Sequence, residues 1–462
     1  MNDVVHPAAG IGGPDEAREF LDRNRDVEAV QLVITDANGV GRGKSIAREE
    51  IEPLYCSGRS VAGSILGLDV TGEDVDETGL VWAVGDADQC CRPVAGTLAR
   101  VPWLARPTAQ VLGTLFELDG RAAPADPRQV LARVVERLRS HGLTPAVAVE
   151  LEFYLLQRGG DGRPEPARGL VTQAQGRRID AYGLGRLDDM SPLFDEVYAA
   201  ARAQGLPLRT LMSEYAPGQF EITLEHHADA LRAVDEAILF KRALRGTALR
   251  HGCIACFMAK PFAERAGSGM HLHASLADEG GRNAFASDDP AGTPLLRHAI
   301  GGLRQTLADG MAVFAPHANS YRRFRSKSYA PVAATWGINN RTVGLRIPAG
   351  PPPSRHVEHR VAGADANPYL VAALVLGGML LGIEARLEPG PPVEGNGYDD
   401  ARAGDLPMQW DAALERAGRS EFLRDVLGAE FSRIFLAIKR RECANFAALV
   451  ADRDYEWYLD TV

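Results

Sequence analysis

The protein has 462 residues, of which 45% are hydrophobic, and a formal net charge of −10. A chain of this length can bury one large hydrophobic core or two to three smaller ones. The acidic balance and the absence of a long run of lysine and arginine argue against nucleic-acid partners. The N-terminal segment lacks the apolar stretch of a signal peptide, and the longest apolar run, Leu370–Ile383, is too short to span a bilayer. We therefore expect a cytoplasmic, soluble protein with a buried helix at that run, and no membrane partner.

Near the start of the chain, the stretch TDANGVGRGKSI (residues 35–46) ends in Gly-Lys-Ser and invites comparison with a phosphate-binding loop. Such a loop needs glycine at position 38, and Asn38 stands there instead. Asn38-Gly39 after the strand-like run 29–34 is typical of a tight hairpin turn. The sequence therefore favours a hairpin over a nucleotide site.

Strand-like runs separated by Gly, Pro and acidic turns continue to about Leu118 and indicate a small sheet-rich module. Asp126-Pro127 then begins an amphipathic helical segment, and strand candidates alternate with helix candidates beyond it. This order predicts a mixed α+β protein in two parts.

In the strand candidate AVAVELEFYLL (residues 146–156), Glu150 and Glu152 occupy alternate positions of an otherwise apolar run. Period two places both carboxylates on one face, about 7 Å apart. Burial of two like charges is costly unless a cation neutralises them. The face is therefore either solvated or binds metal.

Three further segments carry similar groups. One sets two carboxylates on either side of a Pro-Gly turn, one is a glycine-rich approach to two histidines and a serine on a strand, and one places a carboxylate among cations. Their candidate residues are Glu214, Glu221, Gly267, His271, His273, Ser275 and Glu358. Many carboxylates with one or two imidazoles and no thiolate suit Mg²⁺ or Mn²⁺ better than zinc. Such ions most often serve phosphoryl chemistry.

Arginines in NSYRRF and in NNRTVGLRIP agree with that chemistry, namely Arg323 in the first and Arg341 and Arg346 in the second. Guanidinium groups bind phosphoryl and carboxylate groups in fixed geometry. The alternative is a solvated basic loop followed by a strand.

From about residue 25 to the C terminus, these segments together resemble the glutamine synthetase family of the class I type. The segments that carry the resemblance are ELEFY, PGQFE, KPFAERAGSGMHLHAS, NSYRRF, NNRTVGLRIP and VEHRVAGADANPYL. The resemblance implies a β-grasp domain over residues 25–118 and a catalytic domain over residues 122–462. It also implies a homododecamer of two stacked hexameric rings, with each active site between neighbouring subunits.

The resemblance further implies ATP-dependent activation of glutamate as γ-glutamyl phosphate, which an amine then attacks. One metal would be held by Glu152, Glu214 and Glu221, and the second by Glu150, His271 and Glu358. ATP would contact His273 and Ser275, and glutamate would contact Gly267, Arg323, Arg341 and Arg360. Arg341 and Arg346 would also stabilise the transferring phosphoryl group, and with Glu221 they form the predicted catalytic set.

Two departures from the family pattern concern the amine. Where ammonia-using members carry an aspartate and a flap glutamate, this chain has Val61, with Ser64 nearby, and Tyr329. Loss of both carboxylates favours a larger amine, such as putrescine or spermidine, which an aromatic wall can hold. An ammonia-dependent glutamine synthetase and a non-catalytic scaffold remain the alternatives. Tyr398 roughly matches a tyrosine that some bacterial members modify, although its flanking residues differ.

Overall fold

A computed structural model describes residues 10–176, 178–400 and 406–462. The helices are α1 (Pro14–Arg23), α2 (Ile51–Ser57), α3 (Pro127–Ser140), α4 (Leu184–Asp189), α5 (Ser191–Ala203), α6 (Ala230–Arg250), α7 (Pro294–Thr306), α8 (Met311–Phe314), α9 (Pro368–Glu384), α10 (Trp410–Arg419), α11 (Glu421–Leu427), α12 (Ala429–Ala447) and α13 (Asp452–Tyr458). The strands are β1 (Ala29–Thr35), β2 (Gly41–Ala47), β3 (Arg59–Ala62), β4 (Asp88–Pro93), β5 (Ala99–Arg100), β6 (Thr108–Phe116), β7 (Thr144–Arg158), β8 (Pro164–Pro166), β9 (Leu208–Ser213), β10 (Gln219–Leu224), β11 (Ile254–Cys256), β12 (Met270–Ala277), β13 (Trp336–Ile338), β14 (Leu345–Ile347) and β15 (Val357–His359).

The N-terminal strands form a six-stranded sheet with the order β2-β1-β6-β4-β3, and β5 pairs with β6. The pairing of β1 with β6 is parallel, whereas β1 and β2 form the predicted antiparallel hairpin. Its turn is held by the Asp36 carboxylate, which accepts hydrogen bonds from the backbone N–H groups of Asn38 and Val40. The hairpin interpretation of the Gly-Lys-Ser stretch is therefore confirmed.

The run SVAGSIL (residues 60–66), one of the strand-like runs of the N-terminal module, is only partly a strand. Strand β3 ends at Ala62, and a 3-10 helix over Gly63–Leu66 follows. The turn is closed by the Gly67 N–H, which donates to the Ser64 carbonyl at 2.7 Å. An Ala-Gly-Ser sequence permits this local hydrogen bonding in place of pairing with another strand.

A nine-stranded sheet with the order β13-β14-β15-β12-β7-β10-β9 forms the centre of the larger part, and β8 and β11 pair with β7. The long strand β7 has β12 on one side and β10 on the other, both antiparallel. Its apolar side chains, among them Leu151 and Phe153, are completely buried. The α+β fold class predicted from the sequence, with an N-terminal sheet of the β-grasp kind, is confirmed.

The apolar run Leu370–Ile383 lies inside helix α9, as predicted. The helix begins at the Asn367 side chain, which accepts a hydrogen bond from the Tyr369 N–H, and Pro368 occupies its first turn. Almost all of its residues are buried on every side, which explains the lack of a polar face. Among the residues that the structure describes, no helix combines the length and the apolarity needed to cross a membrane.

Candidate active site

The register of the large sheet brings the predicted residues onto one face. Directly opposite residues of antiparallel strands share a face, as do alternate residues of one strand. On β7, Glu152 lies opposite Glu221 of β10, and Glu150 lies opposite His271 of β12. His273 of β12 lies opposite Glu358 of β15, and Glu358 in turn lies opposite Arg346 of β14. Four strand pairings thus align the site.

The first group, which we call the three-carboxylate cluster, consists of Glu152, Glu214 and Glu221. Each contributes a carboxylate oxygen, and these oxygens lie within 4.8 Å of one another. Glu214 lies in the turn between β9 and β10, and its carboxylate accepts a hydrogen bond from the Tyr215 N–H. Glu152 is held by the Gly269 N–H, which donates to its Oε2 at 2.6 Å. These are the three residues predicted to hold one metal ion.

The electrostatics of this cluster fit a divalent cation. Burial, together with the neighbouring carboxylates Glu150 and Glu152, raises the pKa of Glu221 to about 11. Burial and Glu152 likewise raise the pKa of Glu214 to about 7. Three crowded carboxylates can all ionise near neutral pH only beside added positive charge, and all-oxygen donors of this kind suit Mg²⁺ or Mn²⁺.

The second group, which we call the histidine–carboxylate cluster, consists of Glu150, His271 and Glu358. His271 Nδ1 lies 2.5 Å from a Glu150 oxygen and 3.7 Å from a Glu358 oxygen. A carboxylate oxygen from Glu150 and one from Glu358 also lie within 4.8 Å of a ring nitrogen of His273. The structure therefore brings together the residues predicted to hold the second metal ion.

Arginines balance the charge of this second cluster. Arg346 donates to Glu358 Oε2 at 2.7 Å, and Arg360 donates to the other oxygen of the same carboxylate. Burial is the largest single influence and would raise the pKa of Glu358, but the Arg360 guanidinium and the His273 and His271 rings together outweigh it and lower the pKa to about 2. Arg346 also donates to the Asn339 side chain at 3.1 Å. The Nε atoms of Arg346 and Arg360 are buried and have no hydrogen-bond partner among the described residues, so each retains a donor that a ligand could use.

Gly267 and Arg323, both predicted to contact glutamate, lie against each other. A Cβ added at Gly267 would meet Arg323 Cγ and the Ala259 carbonyl oxygen, both at 2.7 Å. Arg323 is buried and donates to the Val361 carbonyl at 2.8 Å, next to Arg360 in the chain. Glycine at position 267 thus permits the backbone to approach the arginine closely.

The remaining predicted residues vary in placement. Ser275 lies on β12 on the same face as His271 and His273, partly exposed. Arg341 is exposed in the turn before β14. Tyr398 is half-buried, and its hydroxyl donates to the Ala330 carbonyl at 3.0 Å, next to the Tyr329 loop position.

The three residues predicted for the amine lie in different parts of the chain. Val61 is on β3 of the N-terminal sheet, and its side chain is only 1% exposed, packed in the hydrophobic core. Ser64 is partly exposed in the following 3-10 helix. Tyr329 is 61% exposed and has a positive φ of 59°, which is unusual for an aromatic residue. Of the three, Tyr329 is the side chain best placed to meet a ligand.

The sequence interpretation missed three residues beside this site. His226 and His356 lie against His273, and Asn339 orients Arg346. His356 precedes Glu358 by two positions, so strand alternation could have placed it on the same face. His226 follows β10 and Asn339 follows β13, and neither position carries a pattern in the sequence.

Comparison with known proteins agrees with the family that the sequence motifs resemble. A family model described as the glutamine synthetase catalytic domain matches residues 124–458. The chain is 38% identical over 454 residues to gamma-glutamylputrescine synthetase PuuA of Escherichia coli K12, an alignment that covers 97% of this chain and 95% of that protein. It is 31% identical over 462 residues to a glutamate–isopropylamine ligase of a Pseudomonas species, covering 97% and 98%. Its fold matches the GmaS/ADP complex with a TM-score of 0.83 at 28% identity, covering 97% of this chain and 100% of that one.

Proposed function

The chain belongs to the glutamine synthetase family, and we propose that it is an ATP-dependent ligase that joins the γ-carboxylate of glutamate to a primary amine. The reaction would proceed through γ-glutamyl phosphate, with a polyamine such as putrescine or spermidine as the preferred nucleophile. The observation that carries this proposal is the alignment of two carboxylate clusters and buried arginines on one sheet face. A non-catalytic scaffold would have no need to retain that costly arrangement of buried charge.

We assign Glu152, Glu214 and Glu221 to one divalent ion and the histidine–carboxylate cluster to a second, with Mg²⁺ or Mn²⁺ as the candidates. Once bound, such ions offset the negative charge of the phosphates and of the glutamate γ-carboxylate. The rest of the chemistry falls to side chains that bind and orient the reactants, since phosphoryl transfer depends mainly on alignment and electrostatic stabilisation.

Glutamate is assigned to the segment around Gly267, whose bare backbone packs directly against Arg323. The buried Nε of Arg360 is a further donor for a glutamate carboxylate. ATP is assigned to the β12 side of the face, beside His273 and Ser275. Arg346, fixed by Glu358 and Asn339, has a free Nε that can stabilise the phosphoryl group in transfer, and the exposed Arg341 can close over it.

The amine must lose a proton before it attacks, because an alkylamine has a pKa of about 10 and arrives protonated. Glu214, Glu221 or an acidic residue of a neighbouring subunit is the candidate for accepting that proton.

A larger amine than ammonium is supported by Tyr329, an exposed aromatic side chain at the flap position. An aromatic face can hold an alkylammonium ion by cation–π attraction. The two relatives above are named for amines with carbon chains, putrescine and isopropylamine. Val61 is buried and therefore unavailable to the amine. Any further amine contact is assigned to Ser64, or to another residue of the N-terminal sheet, from a neighbouring subunit.

We also propose the homododecamer of two stacked rings that the family resemblance implies. The exposed apolar side chains near the C terminus, such as Leu449, Trp457 and Leu459, are consistent with contacts between subunits. The mass of the assembly by native mass spectrometry tests this proposal directly.

The decisive experiment measures phosphate release by the purified protein with ATP, Mg²⁺ and glutamate, comparing ammonium, putrescine, spermidine, ethanolamine and isopropylamine. We expect kcat/KM for putrescine or spermidine to exceed that for ammonium by at least about tenfold, equivalent to roughly 1.4 kcal/mol. Equal or better turnover with ammonium would identify an ammonia-dependent glutamine synthetase instead. No metal-dependent turnover with any amine would revive the non-catalytic scaffold.

A variant at Tyr329 tests whether this side chain contacts the amine. Tyr329→Ala should raise KM for the amine several-fold and leave KM for glutamate unchanged, because cation–π contacts are worth about 0.5–2 kcal/mol. Tyr182→Ala is the matched control, since Tyr182 is also exposed and has a similar positive φ of 61°. If both variants behave alike, Tyr329 does not contact the amine.

A further inference from the structure

His226, His273 and His356 form a cluster of imidazoles beside the histidine–carboxylate cluster, and we call it the three-histidine cluster. One ring nitrogen from each lies within 4.8 Å of the other two. The ring centroids are 5.9 Å apart for His226 and His273, 5.3 Å for His226 and His356, and 5.1 Å for His273 and His356. No ring is stacked flat on another, because the interplanar angles are 70°, 72° and 51° for the same three pairs.

The three rings are carried by separate and well-anchored parts of the sheet. His273 is on β12, and His356 immediately precedes β15. His226 follows β10, and the next residue, His227, exchanges two backbone hydrogen bonds with Val147 of β7 at 2.8 and 2.9 Å. One ring on a strand and two beside strand ends are held more rigidly than rings on a long loop.

Hydrogen bonding fixes the tautomer of His356. Its Nδ1 lies 2.7 Å from the Ser354 carbonyl oxygen, which can only accept, so Nδ1 carries the proton. In the neutral ring, Nε2 then carries a lone pair and no proton, and it lies 2.9 Å from His273 Nδ1. In metal-binding histidines, the ring nitrogen that does not bind the metal usually donates its proton to a backbone carbonyl or a carboxylate, which fixes the orientation of the ring.

The opposite edge of His273 has a comparable support. His273 Nε2 lies 3.5 Å from a Glu150 oxygen, and it has no hydrogen-bond partner among the described residues. A proton held there would face the carboxylate, which leaves Nδ1 to bind a cation. His226 is exposed and provides an entrance from solvent, as a metal site requires.

We infer that the three-histidine cluster binds one divalent transition-metal ion, such as Zn²⁺, Co²⁺ or Ni²⁺, in addition to the ions assigned to the two carboxylate-containing clusters. Three imidazoles and one open position are a donor set that zinc accepts and that Mg²⁺ does not favour. Metal–nitrogen bonds of about 2.0–2.1 Å in tetrahedral geometry separate two ligand nitrogens by roughly 3.3 Å. The His273–His356 separation therefore needs to widen by only roughly 0.4 Å as the ion replaces the proton between them.

The inferred ion shares His273 with the ATP contacts assigned above, so the ion and ATP compete for that side chain. This inference does not rest on the proposed reaction, because metal binding is measured without substrates. The experiment titrates Zn²⁺ into the metal-stripped protein by calorimetry, with excess Mg²⁺ present to occupy the carboxylate sites. Wild type should bind one Zn²⁺ per chain that His226→Gln and His356→Gln bind about a hundredfold more weakly or not at all. The matched control His227→Gln should bind like wild type, since His227 is the adjacent histidine and lies outside the cluster.

A second measurement uses Co²⁺, whose visible absorption intensifies in a nitrogen-rich site of low coordination number. Wild type and His227→Gln should develop that absorption, and His226→Gln should not. Thermal unfolding of each variant shows that it is folded. Zn²⁺ binding that is identical in wild type and both cluster variants would overturn the inference. So would a wild-type protein that binds no Zn²⁺ when Mg²⁺ is in excess. Either result would leave a hydrogen-bonded histidine pair with a third ring beside it.

Discussion

The three-carboxylate cluster and the histidine–carboxylate cluster are neighbours on one sheet face, and their β7 residues are two positions apart in the chain, but their negative charge is balanced differently. In the second cluster, Glu358 is paired with two arginines, and its pKa is lowered to about 2. In the first, Glu214 and Glu221 lie among other carboxylates, and their pKa values are raised to about 7 and about 11.

The difference indicates which cluster depends on metal for its charge state. The protein itself ionises Glu358, because the guanidinium groups remain in place whether or not a ligand is bound. The three-carboxylate cluster holds protons until a divalent ion displaces them. The first cluster should therefore respond strongly to metal and pH, and the second should depend on its arginines.

The largest expected effect follows from removal of one of those arginines. Arg360→Met leaves Glu358 buried with a single guanidinium partner, and loss of a partner from a buried ion pair costs about 3–5 kcal/mol. Urea unfolding of the metal-free protein measures the free energy of unfolding. The double variant Arg360→Met with Glu358→Gln should recover part of the loss, and an additive double variant would show that the two side chains are not coupled.

For Glu221→Gln we expect a large effect on activity and little or no loss of stability. Activity should fall by about a hundredfold or more, since a lost metal ligand removes several kcal/mol of charge stabilisation. The metal-free protein should be as stable as wild type or more so, because the neutral amide avoids the free-energy cost of the proton that a buried carboxyl with a raised pKa must take up on folding. Steady-state kinetics and urea unfolding in EDTA test both parts. Clear destabilisation in EDTA would show that Glu221 is stabilised by the protein alone.

The third prediction concerns pH. An unfolded glutamate has a pKa of about 4.3, below the folded value of Glu214, so the folded metal-free protein retains extra protons at intermediate pH. Its free energy of unfolding should therefore fall as pH rises from about 5 to about 8, and saturating Mg²⁺ should reduce that fall. The apparent Mg²⁺ affinity should rise over the same range, by roughly tenfold per pH unit for each proton released. Calorimetry at several pH values measures this slope, and an affinity independent of pH would contradict the raised pKa values.

The smallest effect is expected at Asn339, whose side chain supports Arg346 beside the second cluster. Asn339→Gly removes one hydrogen bond to a charged group, worth about 1.5–3 kcal/mol, but relieves the positive φ of 48° at this position. We expect a net loss of about 1 kcal/mol or less in stability and a several-fold fall in kcat. A fall as large as that of Glu221→Gln would show that Glu358 alone does not position Arg346.

Local patterns in the sequence were sufficient for several elements. Asn38-Gly39 predicted the β1–β2 hairpin, and the apolar run Leu370–Ile383 predicted the buried helix α9. Alternation along β7 placed Glu150 and Glu152 on one face. The strand-like run over residues 60–66 was the exception, because a 3-10 helix and a strand end differ there by a few local hydrogen bonds that composition does not distinguish.

The sequence by itself thus determined which side chains share a strand face, since the period of two is a property of the extended backbone. Only the tertiary structure decided which strands became neighbours of β7, and hence that Glu152 meets Glu221 while Glu150 meets His271. It also decided that His226 and His356 converge on His273 and that Glu358 is neutralised by two arginines. These pairings depend on hydrogen bonds and packing between segments far apart in the chain, and no local pattern encodes the register of such contacts.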